Sequence, residues 1–291
     1  MIFGRPALPP FRRERLELPD GDFLDLDWLD RGHGRLVVLC SGLEGNSRDA
    51  GMVRLALTFS EAGWDVLSWN YRGCGGSMNR LPRSYHSGAT EDLAAVLHHS
   101  GNRPTALVGC SLGGNLLLKY LGEGGAAPFV IGAVAISPPV DLASSARALD
   151  ELPANQIYRK RLIRSLSTKV LAKAAAMPGQ IDTSGLRGLH GFAHFDDRFT
   201  APMHGFRDAE DYWTHCSSKP VLPAIGVPTL ILTARDDPFL LPPSFPEAEA
   251  RSHPFLHLEI PDRGGHLGFV SGFPPDFCWA GRRAVQFLEA E

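Results

Sequence analysis

The run ALVGCSLGGN, residues 106–115, sets Ser111 between Gly109 and Gly113, where a short apolar stretch gives way to a helical pattern. A serine held on a tight strand-to-helix turn can act as a nucleophile, because the turn lifts its hydroxyl above the strand end. The start of the following helix adds a positive dipole and free N–H groups. Side chains two positions before and after would collide unless very small, and glycine meets that demand. The Leu112 amide is thereby placed as an oxyanion donor. Alone, Gly-x-Ser-x-Gly is short enough to arise by chance; the legible strand before it and helix after it give it weight.

Serine needs a base at neutral pH, and the base needs an orienting acid. The chain order serine, acid, histidine, each after a strand, is the order this turn demands. LILTARDDPF offers Asp236 and Asp237 after an apolar run, and PDRGGHLGFV offers His266 after the next. Gly264, Gly265 and Gly268 let the histidine loop fold across the sheet edge. Neighbours on an extended segment point to opposite sides, so only one aspartate can face the imidazole. Pro238 restricts Asp237 to extended backbone and stiffens its turn, which favours Asp237. His98 and His99 fall in a helical pattern, His194, His204 and His215 in a strand-free interval, and His86 at the start of a helix; His266 is preferred on order and placement. In VVLCSGLEGNS, Gly42 permits close backbone approach, making the Leu43 amide the candidate second oxyanion donor.

These residues need a scaffold. Glu14–Leu18 and Phe23–Leu29 flank the turn Pro19-Asp20-Gly21-Asp22, and Leu24, Leu26 and Trp28 keep the two-residue period of a hairpin with one wet face. Short continuous apolar runs follow at 36–39, 66–67, 106–108, 130–136, 230–232 and 256–260, as expected of parallel strands covered on both faces. Helical patterns alternate with them at 52–62, 90–98, 115–122 and 282–290. The fold class is therefore α/β: a mostly parallel sheet with an N-terminal antiparallel hairpin and helices on both faces. From Asp141 to about Lys219 no strand pattern occurs, only a long helical stretch near 155–177 and segments such as HGFAHFDDRF. That interval is too long for a plain loop. Residues 141–219 are read as a helical cap inserted into a core formed by 1–140 and 220–291, with Phe192, Phe195, Phe199 and Met203 available to line an acyl path.

The chain of 291 residues carries 29 Lys and Arg against 32 Asp and Glu, a formal charge of -3, with no long run of one sign. Nucleic acid is thus not expected as a partner, and FRRER near the start reads as a solvated strand opening. No apolar stretch approaches the roughly 18 residues of a membrane span, and the prolines of MIFGRPALPP argue against a signal peptide. Five cysteines, an odd and dispersed set without a CxxC pair, argue against a disulfide framework or a zinc site. A cytoplasmic protein without a metal is expected.

SGLEGNS, WNYRGCGGS, GCSLGGN, TARDDPF and RGGHLGFV together resemble the α/β-hydrolase superfamily, and more narrowly its YheT-like branch of esterase and lipase-type hydrolases. DDRFTAPMHGFRDAEDYW through IGVPTLILTARDD extends the likeness, which spans nearly the whole chain. The resemblance implies an α/β-hydrolase fold and a serine hydrolase without cofactor, acting on small-molecule ester or lipid substrates. Its triad would be Ser111, an acid of the Asp236-Asp237 pair and His266, the branch pattern placing the acid directly before Pro238. Two positions depart: Ser41-Gly42 stands where the branch has His-Gly, and Trp213 where Tyr is expected. The function expected is cleavage of carboxylic esters, short- to medium-chain acyl esters or lipids, through an acyl-enzyme. A thioesterase or acyltransferase would keep the same triad, whereas a non-catalytic binding protein of this fold would normally have lost a member.

Overall fold

The computed structural model describes residues 6–125, 127–272 and 276–290. The opening residues 1–5, part of the stretch read against a signal peptide, lie outside them. Eight strands form one sheet in the order β1-β2-β4-β3-β5-β6-β7-β8: β1 Arg12–Glu17, β2 Phe23–Leu29, β3 Leu36–Cys40, β4 Asp65–Asn70, β5 Thr105–Cys110, β6 Val130–Ile136, β7 Thr229–Leu232 and β8 Leu256–Glu259. The pairs β1–β2 and β2–β4 are antiparallel, and every other pair is parallel. The resulting fold is the α/β-hydrolase fold. No helix among the described residues is long and apolar enough to cross a membrane.

Alternation along each strand feeds two cores. From β3, Leu36, Val38 and Cys40 join Leu107 and the helix residues Leu93, Leu97, Leu116 and Leu117 on one face. Val37 and Leu39 join Val66, Val108, Phe59 and Val285 on the other. Helices α1 (Ala50–Glu61), α2 (Thr90–Ser100) and α3 (Leu112–Gly122) follow β3, β4 and β5 in turn. Each fully buried leucine or valine contributes about 1.5–3 kcal/mol relative to an exposed one, so continuous apolar runs are what a sheet covered twice requires.

The hairpin differs from the alternating reading, because all seven residues of β2 are buried. Asp25 and Asp27, expected on a wet face, are instead covered by cross-strand arginines: Arg15 Nε donates to Asp25 at 3.0 Å and Arg13 Nε to Asp27 at 2.9 Å. Ser47 also donates to Asp27, and Asn70 Nδ2 donates to the Asp25 carbonyl. Buried carboxylates persist only with such partners.

Between β6 and β7 the described residues hold helices and no strand: α4 Leu142–Glu151, α5 Gln156–Ala176, α6 Phe192–Phe195, a π-turn Asp196–Thr200, α7 Ala201–Met203 and α8 Ala209–Cys216. Asn115 on α3 ties the end of this segment to the core, donating to the Cys216 carbonyl at 2.8 Å and accepting from the Ser218 amide at 2.9 Å. Helix α9 (Glu247–Ala250) lies between β7 and β8, and α10 (Trp279–Ala290) follows β8.

Candidate active site

Ser111 occupies the turn between β5 and α3 with φ 51° and ψ -119°, a region non-glycine residues seldom enter. The flanking glycines are dictated by space: a Cβ on Gly109 would lie 2.3 Å from the Gly113 carbonyl oxygen, and one on Gly113 would lie 2.4 Å from that of Cys40. The Ser111 amide donates to the Ile136 carbonyl at 2.8 Å, fixing the turn to β6.

His266 Nε2 lies 2.8 Å from Ser111 Oγ, and His266 Nδ1 lies 2.8 and 3.1 Å from the two carboxylate oxygens of Asp237. The Asp237 side chain is fully buried and also accepts from the Phe239 amide at 2.9 Å. The Phe239 ring packs on the imidazole with centroids 4.4 Å apart. Asp236 faces elsewhere: one of its oxygens accepts from the amides of both Gly264 and Gly265, each at 2.8 Å. It thus holds the turn that delivers His266. The sequence reading missed this role; the Gly264-Gly265 pair, whose amides are open to a carboxylate, is the signal that bears on it.

Leu43 lies on a tight turn closed by the Gly45 amide donating to the Gly42 carbonyl at 3.0 Å. A Cβ on Gly42 would meet the Ser111 Cβ at 3.4 Å, so this turn passes directly beside the serine. Among the described residues, neither the Leu43 nor the Leu112 amide donates to a protein acceptor. Among the described residues the buried Ser41 Oγ has no partner, so this side chain does not brace the loop. Two stacked tyrosines do. Tyr71 donates to the Ser41 carbonyl at 2.8 Å, and Tyr85 accepts from the Glu44 amide at 2.7 Å, their rings 4.8 Å apart.

Ser111, Leu43, Leu112 and His266 open on one pocket, which is partly open to solvent. Phe192, Phe195, Phe199 and Met203 all line it, as do Leu166 and Val170 of α5. Polar side chains interrupt this wall, Asp196 and His86 among them. Asp196 accepts from Thr200 Oγ1 at 2.6 Å and from Trp213 Nε1 at 2.9 Å, and burial raises its carboxyl to about 6. Trp213, the residue that departs from the family pattern, is therefore the donor that pins Asp196. His86 accepts from the Gly88 amide at 3.2 Å and packs on His204 at 4.6 Å; burial lowers its imidazole to about 3. His98, His194 and His215 are exposed, and His99 meets Glu14 at 2.7 Å.

Residues 35–273 match the family described as alpha/beta hydrolase fold. The protein YheT of Escherichia coli (strain K12) is 37% identical, the match covering 89% of this chain and 78% of that protein. Phospholipase ABHD3 of Mus musculus is 31% identical, over 99% of this chain and 74% of its own. Among solved structures, an esterase of Pyrococcus furiosus superposes with a TM-score of 0.63 at 18% identity, covering 96% of this chain and 91% of that one, which speaks for the fold alone. The chain thus belongs to the α/β-hydrolase fold family, in the branch that holds YheT.

Proposed function

We propose that this carboxylic ester hydrolase cleaves acyl esters with Ser111 as nucleophile, His266 as general base and Asp237 as orienting acid. The carrying observation is the unbroken hydrogen-bond chain from Ser111 through His266 to Asp237 at the head of an apolar pocket. As Ser111 Oγ attacks the ester carbonyl, its proton passes to His266 Nε2. The Asp237 carboxylate holds the Nδ1–H tautomer and stabilises the imidazolium that forms. The Leu43 and Leu112 amides receive the oxyanion, each donor worth roughly 3–4 kcal/mol of barrier. His266 then returns the proton to the leaving alcohol, and water, activated by the same histidine, releases the acid from the acyl-enzyme. No step calls on a metal or cofactor.

Residues 141–219 serve in this reading as a cap over a core of 1–140 and 220–291. Their aromatic and aliphatic side chains receive the acyl chain, while the reacting groups stay on core loops. Short- to medium-chain esters or lipids are the substrates that such a wall favours. Relatives named phospholipase and monoacylglycerol lipase support an acyl-ester substrate. Five free thiols fit a reducing compartment, and the cytoplasm is the proposed location.

A fluorophosphonate probe tests the nucleophile: wild type should be labelled at Ser111 and Ser111→Ala should not. A panel of p-nitrophenyl esters of graded chain length then reads the pocket. Wild-type protein that neither takes the label nor turns over any ester would overturn the reading.

A further inference from the structure

The turn that presents Leu43 carries a glutamate where a glycine would be easier. Glu44 has φ 59°, in the left-handed region, so its surroundings must hold it there. They do so through both ends of the residue. Its amide donates to Tyr85 Oη at 2.7 Å. Its carboxylate accepts from Tyr85 Oη at 2.8 Å, from Lys169 Nζ at 2.7 Å and from Ser165 Oγ at 2.7 Å. Ser165 and Lys169 stand one turn apart on α5, on one helix face. Core and α5 therefore meet on the residue next to Leu43. The contact is largely dry, the Glu44 and Lys169 side chains being 9% and 16% exposed. Lys169 also lies 3.0 Å from Cys74 Sγ and 5.1 Å from the Tyr85 ring centre. Burial alone would lower its ammonium, but Cys74 and Glu44 hold it above the ordinary lysine range.

We propose that Glu44 is a positioning residue which locks the oxyanion turn to helix α5, and that Lys169 cancels the negative charge this lock places beside the oxyanion. The inference rests on the reading of the Leu43 amide as an oxyanion donor. A carboxylate suits the task because it accepts from three side-chain donors at once, where a glutamine has one acceptor oxygen. The same carboxylate lines the pocket that holds Ser111. Uncompensated, it would oppose the charge that develops there. The two residues thus form a unit: removing the lysine alone strands a buried anion, whereas removing both charges does not. Ordering α5 over the core also completes the oxyanion site.

The test is a double-mutant cycle on Glu44→Gln and Lys169→Met, with kcat and KM measured on p-nitrophenyl acetate and inhibition by a trifluoromethyl ketone, whose serine adduct mimics the oxyanion. Lys169→Met should lower kcat about 30-fold and weaken the ketone by a similar factor with KM nearly unchanged, because a stranded charge acts on the transition state. The double variant should recover about threefold or more over Lys169→Met, a non-additive result that independent contacts would not give. Lys169→Arg should stay within a few-fold of wild type. Ser165→Ala, which removes one bond and no charge, should lower kcat about threefold and serves if Lys169→Met does not fold. Losses that simply multiply, or that appear in KM instead of kcat, would overturn the proposal. So would single variants within twofold of wild type while Ser111 still takes the fluorophosphonate. Failure of wild type to take that label would instead bring down the hydrolase reading beneath it, and this inference with it.

Discussion

Asp237 receives His266 Nδ1 on both carboxylate oxygens, at 2.8 and 3.1 Å, while its neighbour Asp236 turns away to the amides of Gly264 and Gly265. One aspartate meets the imidazole and the other meets the loop that carries it. Asp237→Asn should therefore lower kcat by about 10⁴, the scale seen when a triad acid loses its charge and the histidine adopts the wrong tautomer. Asp236→Asn keeps an acceptor oxygen for the two glycine amides and should cost about tenfold or less. Steady-state kinetics of both variants on one short ester decide the matter. The reverse ranking would move the acid to Asp236.

Ser111→Ala should remove ester hydrolysis without loss of fold. The hydroxyl hydrogen-bonds to His266 Nε2, and the flanking glycines, not the serine, carry the steric demand of the turn. Alanine at φ 51° is strained like the serine it replaces, so stability should change by no more than about 1 kcal/mol. Thermal unfolding and activity measured on the same preparation check both halves. Residual turnover above about a thousandth of wild type would argue against Ser111 as nucleophile, given what loss of a triad nucleophile costs.

The tight turn that carries Ser111 was readable because glycine spacing encodes backbone directly: space around Gly109 and Gly113 admits no Cβ, and that demand is local. Pro238 likewise marked its own neighbour. What stayed hidden depends on residues that meet only after folding. The grip of Asp236 on the histidine loop joins positions 29 apart, and the Lys169–Glu44 pair joins positions 125 apart. The hairpin misled for the same reason. The alternation of Leu24, Leu26 and Trp28 was real, but Arg13 and Arg15 cross over to cover the aspartates between them. A polar face in sequence is wet only if no partner strand supplies its counter-charges.

Phe195 and Phe199 pack on each other with ring centres 5.3 Å apart and both line the pocket. They lie on the segment between β6 and β7, whereas Ser111, Asp237 and His266 follow core strands. Phe199→Ala should therefore change kcat/KM for a two-carbon acyl ester by less than about threefold. For an eight-carbon acyl ester it should fall about tenfold or more, since lost apolar contact is worth 1–3 kcal/mol. Equal losses at every chain length would place these rings in the support of the catalytic groups instead.

His86 should make the protein lose stability in mild acid. Its imidazole is buried and held neutral down to about 3, against an ordinary value near 6.5; burial is the main cause, with His204, Arg83 and Lys119 adding like charge. Below pH 6.5 the unfolded chain binds a proton that the folded chain refuses, so stability present above that pH falls as pH drops from 6.5 towards 3. One such proton amounts to about 2–3 kcal/mol by pH 4.5. Asp196, raised to about 6, works in the opposite sense: its folded form keeps a proton that the unfolded chain has released, so its contribution declines as pH rises from about 4 to 6. A wild-type profile alone would mix the two, and His86→Asn separates them. Asparagine can accept from the Gly88 amide in place of Nδ1 but does not titrate. The variant should be less stable than wild type at pH 7.5, through lost contact with the His204 and Phe206 rings. As pH falls to 4.5 that gap should narrow by about 2–3 kcal/mol, as the histidine penalty grows in wild type alone. Urea unfolding of both proteins at the two pH values measures it. A gap that stays constant would mean that His86 is protonated in the folded state or shielded in the unfolded one, and the assignment of a neutral buried imidazole would fall.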